Sequence, residues 1–72
     1  MTNEIKEIQI NTEYIELGKF LKWSGIVSMG SEVKEFLLNN KILVNDEFEN
    51  RRGRKIYKGM IIKVNNDFFK II

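Results

Sequence analysis

The spacing of apolar residues in this 72-residue chain changes near Lys41, and that change limits the available folds more than any other feature. Before it, Leu17, Phe20 and Leu21 fall at i, i+3 and i+4, and Val33, Phe36 and Leu37 repeat the pattern. Such spacing puts three side chains on one stripe of a helix, so two short helices are expected. After it, Ile42-Leu43-Val44 reads as a strand with Glu47-Phe48-Glu49 as its return, Ile56-Tyr57 and, past a turn, Ile61 to Val64 give another strand, and the chain turns again into Phe68 to Ile72. An earlier strand is expected from Ile5 to Ile10, apolar at 5, 8 and 10, ending in a turn at Asn11-Thr12-Glu13. The order is strand, two helices, then three or four strands. It predicts an α+β fold with two short helices packed on one face of a small antiparallel sheet.

Punctuation supports these boundaries. Ser24-Gly25 should end the first helix, which Gly18 weakens by about 1 kcal/mol relative to alanine. Ser28, Gly30 and Ser31 are candidate caps for the second, and Glu32 suits its first turn. Asn39-Asn40 is expected to supply the left-handed residue that ends it. Asn45-Asp46 and Lys58-Gly59 are plausible tight turns, and Asn65-Asn66-Asp67 should turn the chain again. No proline, linker or internal repeat interrupts the sequence, so a single domain over 1–72 is expected.

The absent residue types narrow the chemistry. Without histidine or cysteine, Ser-His and Cys-His nucleophiles cannot be built, and a zinc site would need carboxylates alone. Neither a Walker loop nor a GxGxxG is present. Glu32 and Glu35, and Glu47 and Glu49, are expected on solvated surfaces rather than in acid–base work. A chain this small has little room to enclose a substrate. No enzymatic activity and no cofactor are therefore expected. No apolar run approaches the roughly 18–20 residues that span a bilayer. The start, MTNEIKEIQI, lacks the apolar core of a secretory signal, and the missing cysteines suit a reducing compartment. A cytoplasmic location is the expectation.

Charge is distributed unevenly. Residues 1–50 carry five lysines and nine acids, whereas residues 51–72 carry seven cations and one acid. The cations concentrate in NRRGRKIYKG, Asn50 to Gly59, which has five and no acid. Arg51, Arg52 and Arg54 are the only arginines in the chain. A guanidinium donates two parallel hydrogen bonds to a phosphate, so their grouping with Lys55 suits a polyanion better than a run of lysines would. Gly53 could let the backbone bend sharply or approach a ligand. The plain alternative is a charged hairpin that keeps a sheet edge soluble. On the first helix, Lys19 and Lys22 lie off the apolar stripe, with Trp23 beside them. That tryptophan could stack on a base, but packing against the second helix is its expected place. Lys34 is expected on the outer side of the second helix. Backbone N–H groups around Ser31 could receive a phosphate, although Glu32 opposes this and simple capping is expected.

The stretch LGKFLKWSGIVSMGSEVKEFLLNNKILVNDEFENRRGRKIYKGMIIKV resembles the S-four RNA-binding domain, or alpha-L motif. Its first helix of Leu-x-x-Phe-Leu type corresponds to Leu17, Phe20 and Leu21, and its Ala-Lys pair to Val33-Lys34. The Val-x-Val-Asn-Gly strand and turn correspond to Ile42 through Asp46, and the closing Gly-Asp to Gly59-Met60. The whole chain resembles the short stand-alone bacterial members of the YaaA/YbcJ type, in which the ENRRGRKI hairpin is typical. The resemblance covers about residues 13–65. Glu16-Leu17-Gly18 replaces the common Arg-Leu-Asp, Met29-Gly30 replaces Ser-Arg, and Asn45-Asp46 replaces Asn-Gly. Two common RNA-contacting arginines are thereby missing.

The resemblance implies a non-enzymatic protein that binds structured RNA. Lys19, Lys22, Ser31, Lys34, Asn45, Arg51, Arg52, Arg54 and Lys55 would form its face. It implies ribosomal RNA as target, in ribosome assembly or association with ribosomal particles, with transfer RNA ranked lower. A monomer is the expectation, although the sequence does not fix it. Two other readings stay open. One is a DNA-binding helix-turn-helix with the hairpin as a wing, against which Glu32 and Glu35 would repel phosphates. The other is a protein-interaction module whose basic loop meets an acidic partner.

Overall fold

The computed structural model describes residues 4–72; Met1 to Asn3, part of the expected single domain, lie outside the described residues. The chain forms β1 (Ile5–Ile8), β2 (Tyr14–Glu16), α1 (Leu17–Trp23), a 3-10 turn (Gly30–Glu32) and α2 (Val33–Asn39). Five strands follow: β3 (Ile42–Val44), β4 (Glu47–Phe48), β5 (Lys55–Tyr57), β6 (Ile61–Val64) and β7 (Asp67–Ile71). The expected α+β architecture is present, with two departures in how the strands pair.

The main sheet has the order β1-β7-β6-β3-β4. Its pairs are antiparallel except β1 with β7, which run parallel with Ile5 opposite Phe68 and Ile8 opposite Ile71. A parallel pair needs a long connection, and here nearly the whole chain supplies it. The second departure is β5. It leaves the main sheet and pairs with β2 in a separate antiparallel ribbon, with Tyr14 opposite Tyr57, Ile15 opposite Ile56 and Glu16 opposite Lys55. The basic run is therefore not the loop of a hairpin. It joins β4 in one sheet to β5 in the other.

The helices and the sheet share one core. Leu17, Phe20, Leu21, Val33 and Leu37 are buried on the helical side; Ile42, Val44, Ile62, Val64, Phe69 and Ile71 are buried on the strands. Phe20 meets Phe69 edge-to-face at 5.3 Å between ring centres, a favoured arrangement of two ring quadrupoles. Full burial of each such side chain stabilises by about 2–3 kcal/mol, so this stripe, rather than helix propensity, holds a seven-residue helix in place.

Turn chemistry follows the residues. Asn45 and Asp46 take φ of 50° and 70°, so a two-residue turn with both central residues left-handed joins β3 to β4. Gly25, at φ 82°, ends α1 as expected. α2 ends differently from expectation: Asn40 is extended, and its Nδ2 donates to the Phe36 carbonyl at 3.0 Å. A side chain thus satisfies a terminal carbonyl that a left-handed residue would otherwise have served. At the 3-10 turn that leads into α2, the Glu32 carboxylate accepts the Met29 N–H at 3.1 Å; Met29, rather than Ser28, Gly30 or Ser31, stands at the N-cap there, and α2 itself begins after Glu32 with no side-chain cap.

Candidate nucleic-acid interface

The basic run is fixed to the first helix by backbone hydrogen bonds. The first N–H groups of a helix lack partners within it. Here Leu17 N–H donates to the Arg54 carbonyl and Gly18 N–H to the Arg52 carbonyl, both at 2.8 Å. The Arg51–Arg54 turn, closed by Arg54 N–H to the Arg51 carbonyl at 3.2 Å, thus covers the N-terminus of α1. This explains Gly18. A β-carbon there would lie 3.3 Å from the Arg52 carbonyl oxygen and 3.3 Å from Val33 Cγ1. The glycine that weakens the helix in isolation permits the close approach of the arginine turn. Gly53, by contrast, has open space around it, and among the described residues a close approach occurs at Gly18 instead.

The side chains of this turn are braced by Glu49, which corrects its expected place on a solvated surface. Glu49 is only 5% exposed. Its carboxylate accepts the Arg51 backbone N–H at 3.0 Å, Arg51 Nε at 2.9 Å, Arg51 Nη2 at 3.1 Å and Arg54 Nη1 at 2.9 Å. The Arg51 side-chain hydrogen bonds lead in lowering its pKa from 4.5 to about 2, against the opposing effect of burial; the Arg51 backbone and Arg54 add to the lowering. The same contact raises the Arg51 pKa. Arg51 still shows 73% of its side chain to solvent, while Arg54 shows 25%. Arg52 and Lys55 form no ion pair among the described residues. Lys55 Nζ lies 5.0 Å from the centre of the Tyr14 ring, within cation–π range.

Two concavities meet at the β2–β5 ribbon. Arg51, Arg54, Lys55 and Tyr57 line one shallow cleft. Tyr14, Lys19, Lys22 and Trp23 line a groove between β2 and α1. Between them stand Tyr14 and Tyr57, with ring centres 5.6 Å apart. Trp23 does not pack against α2 as expected; it is 70% exposed. Lys22 Nζ reaches toward the start of α2, lying 3.7 Å from where a β-carbon of Gly30 would stand.

The other predicted residues stand apart from these concavities. Ser31 borders a separate depression with Glu32 and Glu35, where two carboxylates oppose anion binding. Lys34 is exposed on α2. Asn45 is tied to β6, with its Oδ1 accepting the Ile61 N–H at 2.9 Å. Arg52 is exposed, and its carbonyl serves the helix. Tyr14, Tyr57 and Glu49 are the members that sequence reasoning missed. A carboxylate two residues before an arginine pair was the available signal for Glu49.

A small α+β domain that displays cations and aromatic rings along one helix and an adjoining turn is suited to holding a polyanion. Residues 8–72 match the family model of the S4 domain, and the chain belongs to that family. It is similar to a protein of Bacillus subtilis (strain 168) described as a probable ribosome maturation protein, RlbA. The two are 47% identical over 57 residues, which span 79% of this chain and 80% of that protein.

Proposed function

We propose that this protein binds structured RNA without catalysing a reaction on it, that the RNA is ribosomal, and that the binding serves ribosome assembly in the cytoplasm. The observation that carries this reading is the fixed joint between the arginine turn and α1. It sets two groups of cations on adjoining surfaces before any ligand arrives, and preorganised donors bind phosphate without a further ordering cost. Membership of the S4 domain family and similarity to a ribosome maturation protein support the choice of RNA.

In this reading Lys19, Lys22, Arg52 and Lys55 supply mobile charge, while Arg51 and Arg54 present oriented guanidinium edges. Lys34 and Asn45 would extend the contact, and Ser31 would stand at its border. A-form RNA is recognised largely by shape, phosphates and 2′-hydroxyls, which such side chains can contact. Duplex DNA is the weaker alternative, because a recognition helix at α2 would bring Glu32 and Glu35 against the phosphates. Parallel titrations of a ribosomal RNA fragment and a duplex DNA of equal charge, at one salt concentration, separate the readings. Tighter binding of the RNA is expected; tighter binding of the DNA would overturn the proposal.

A further inference from the structure

Trp23 is the chain's one tryptophan, and it stands 70% exposed at the end of a seven-residue helix. Full burial of such a ring would have added substantially to a small core. Exposed apolar residues scattered singly need no explanation. Trp23 is not isolated, however. It borders the groove between α1 and β2, where Tyr14 and Ile15 offer apolar surface and Lys19 and Lys22 offer charge. A third cation, Lys55, lies 5.0 Å over the Tyr14 ring. The groove's acid, Glu16, stands opposite Lys55 in the ribbon, so the local charge remains positive.

This combination has a specific chemical complement. An aromatic face accepts any base by stacking, and flanking cations accept the phosphate that follows it. A fully paired A-form helix shows no base face to such a ring, whereas a bulged or looped nucleotide does. We infer that the Trp23–Tyr14 groove takes one unpaired nucleotide of the RNA, its base stacked on Trp23 and its phosphate held by Lys19 and Lys22. The arginine turn would then grip the neighbouring backbone, so the protein would favour RNA in which a helix is interrupted over RNA that is continuous. The inference rests on the RNA-binding reading proposed above and adds the class of RNA feature recognised.

Trp23 reports on its own environment through its fluorescence, and no other residue contributes a tryptophan signal. The experiment compares two RNA hairpins of equal length and charge, one carrying a single-nucleotide bulge and one fully paired. The bulged hairpin should quench Trp23 emission and bind more tightly. Trp23→Ala should weaken bulged-hairpin binding by about 5- to 100-fold and paired-hairpin binding by less than about twofold. Because the side chain is exposed, an unchanged melting temperature for Trp23→Ala serves as the folding control, and Trp23→Phe should recover part of the affinity. If both hairpins bind and neither quenches, or if Trp23→Ala weakens both equally or neither, the groove is not a nucleotide site and RNA binding itself stands. If neither hairpin binds, the RNA reading fails and takes this inference with it. If Trp23→Ala leaves RNA binding intact but abolishes cosedimentation with ribosomal particles, Trp23 is a protein contact and the inference is overturned.

Discussion

The Arg51–Arg54 turn and the outer face of α1 both display cations, but they hold them in opposite ways. Arg51 and Arg54 are tied to the buried Glu49, and the backbone of their turn is tied to α1. Lys19 and Lys22 project from a helix whose stability comes from the other side, through Leu17, Phe20 and Leu21. If both regions bind as proposed, the turn would couple binding to folding, whereas the α1 face would contribute binding alone. Charge counted along the sequence misses this difference. It also changes how the contact must be tested, because removing Arg51 or Arg54 strips a buried carboxylate of part of its hydrogen bonding and damages the fold.

Breaking the brace should have the largest effect. Glu49→Ala removes four accepted hydrogen bonds and is expected to destabilise by about 2–3 kcal/mol, read by thermal or denaturant unfolding. RNA affinity should fall with it as the turn loses its shape. Next comes the joint itself. Gly18→Val puts a branched side chain against the Arg52 carbonyl and Val33, and should cost about 2 kcal/mol, although valine is a better helix former than glycine. A wild-type melting temperature for Gly18→Val would show that the turn is not held as described.

Acid should distinguish the regions in the same way. Glu49 has a folded pKa of about 2 against an ordinary 4.5. Its contribution is therefore fully present above about pH 4.5 and is lost as pH falls toward 2. Glu49→Gln should flatten that part of the stability–pH curve, while Lys19→Ala and Lys22→Ala should leave it unchanged. The smallest effect on stability belongs to the α1 face. Lys19→Ala with Lys22→Ala should alter unfolding free energy by less than about 0.5 kcal/mol, yet weaken RNA binding measurably.

Much of this was legible in the sequence where the signal is local. The two helical stripes, the Asn45-Asp46 turn and most strand positions follow from side chains a few residues apart. The β2–β5 ribbon was not legible. Tyr14-Ile15-Glu16 is three residues long and runs straight into α1, and its partner lies some forty positions later. The parallel β1–β7 pair is hidden for the same reason, since hydrophobic spacing predicts a strand but not its neighbour. Glu49 looked like one of several surface acids, and only the fold shows that its position is buried. The cations of the candidate site were readable from composition. What composition lacked was which of them are restrained, and that Trp23 faces out rather than in.

If cations on both regions meet RNA phosphates, removing charge without touching the brace should weaken binding and leave the fold intact. The most direct test leaves the brace intact and removes four unbraced charges, in Lys19→Ala, Lys22→Ala, Arg52→Ala and Lys55→Ala combined. Affinity for a ribosomal RNA fragment is measured against salt for this variant and the parent. Neutralising about four phosphates gives the parent a slope of log K against log[salt] near −3 to −4. The variant, folded with an unchanged melting temperature, is expected to bind more weakly, with a slope flattened to about −1 to −2, the share left to Arg51 and Arg54. A folded variant that keeps the parent's affinity and slope would contradict that expectation.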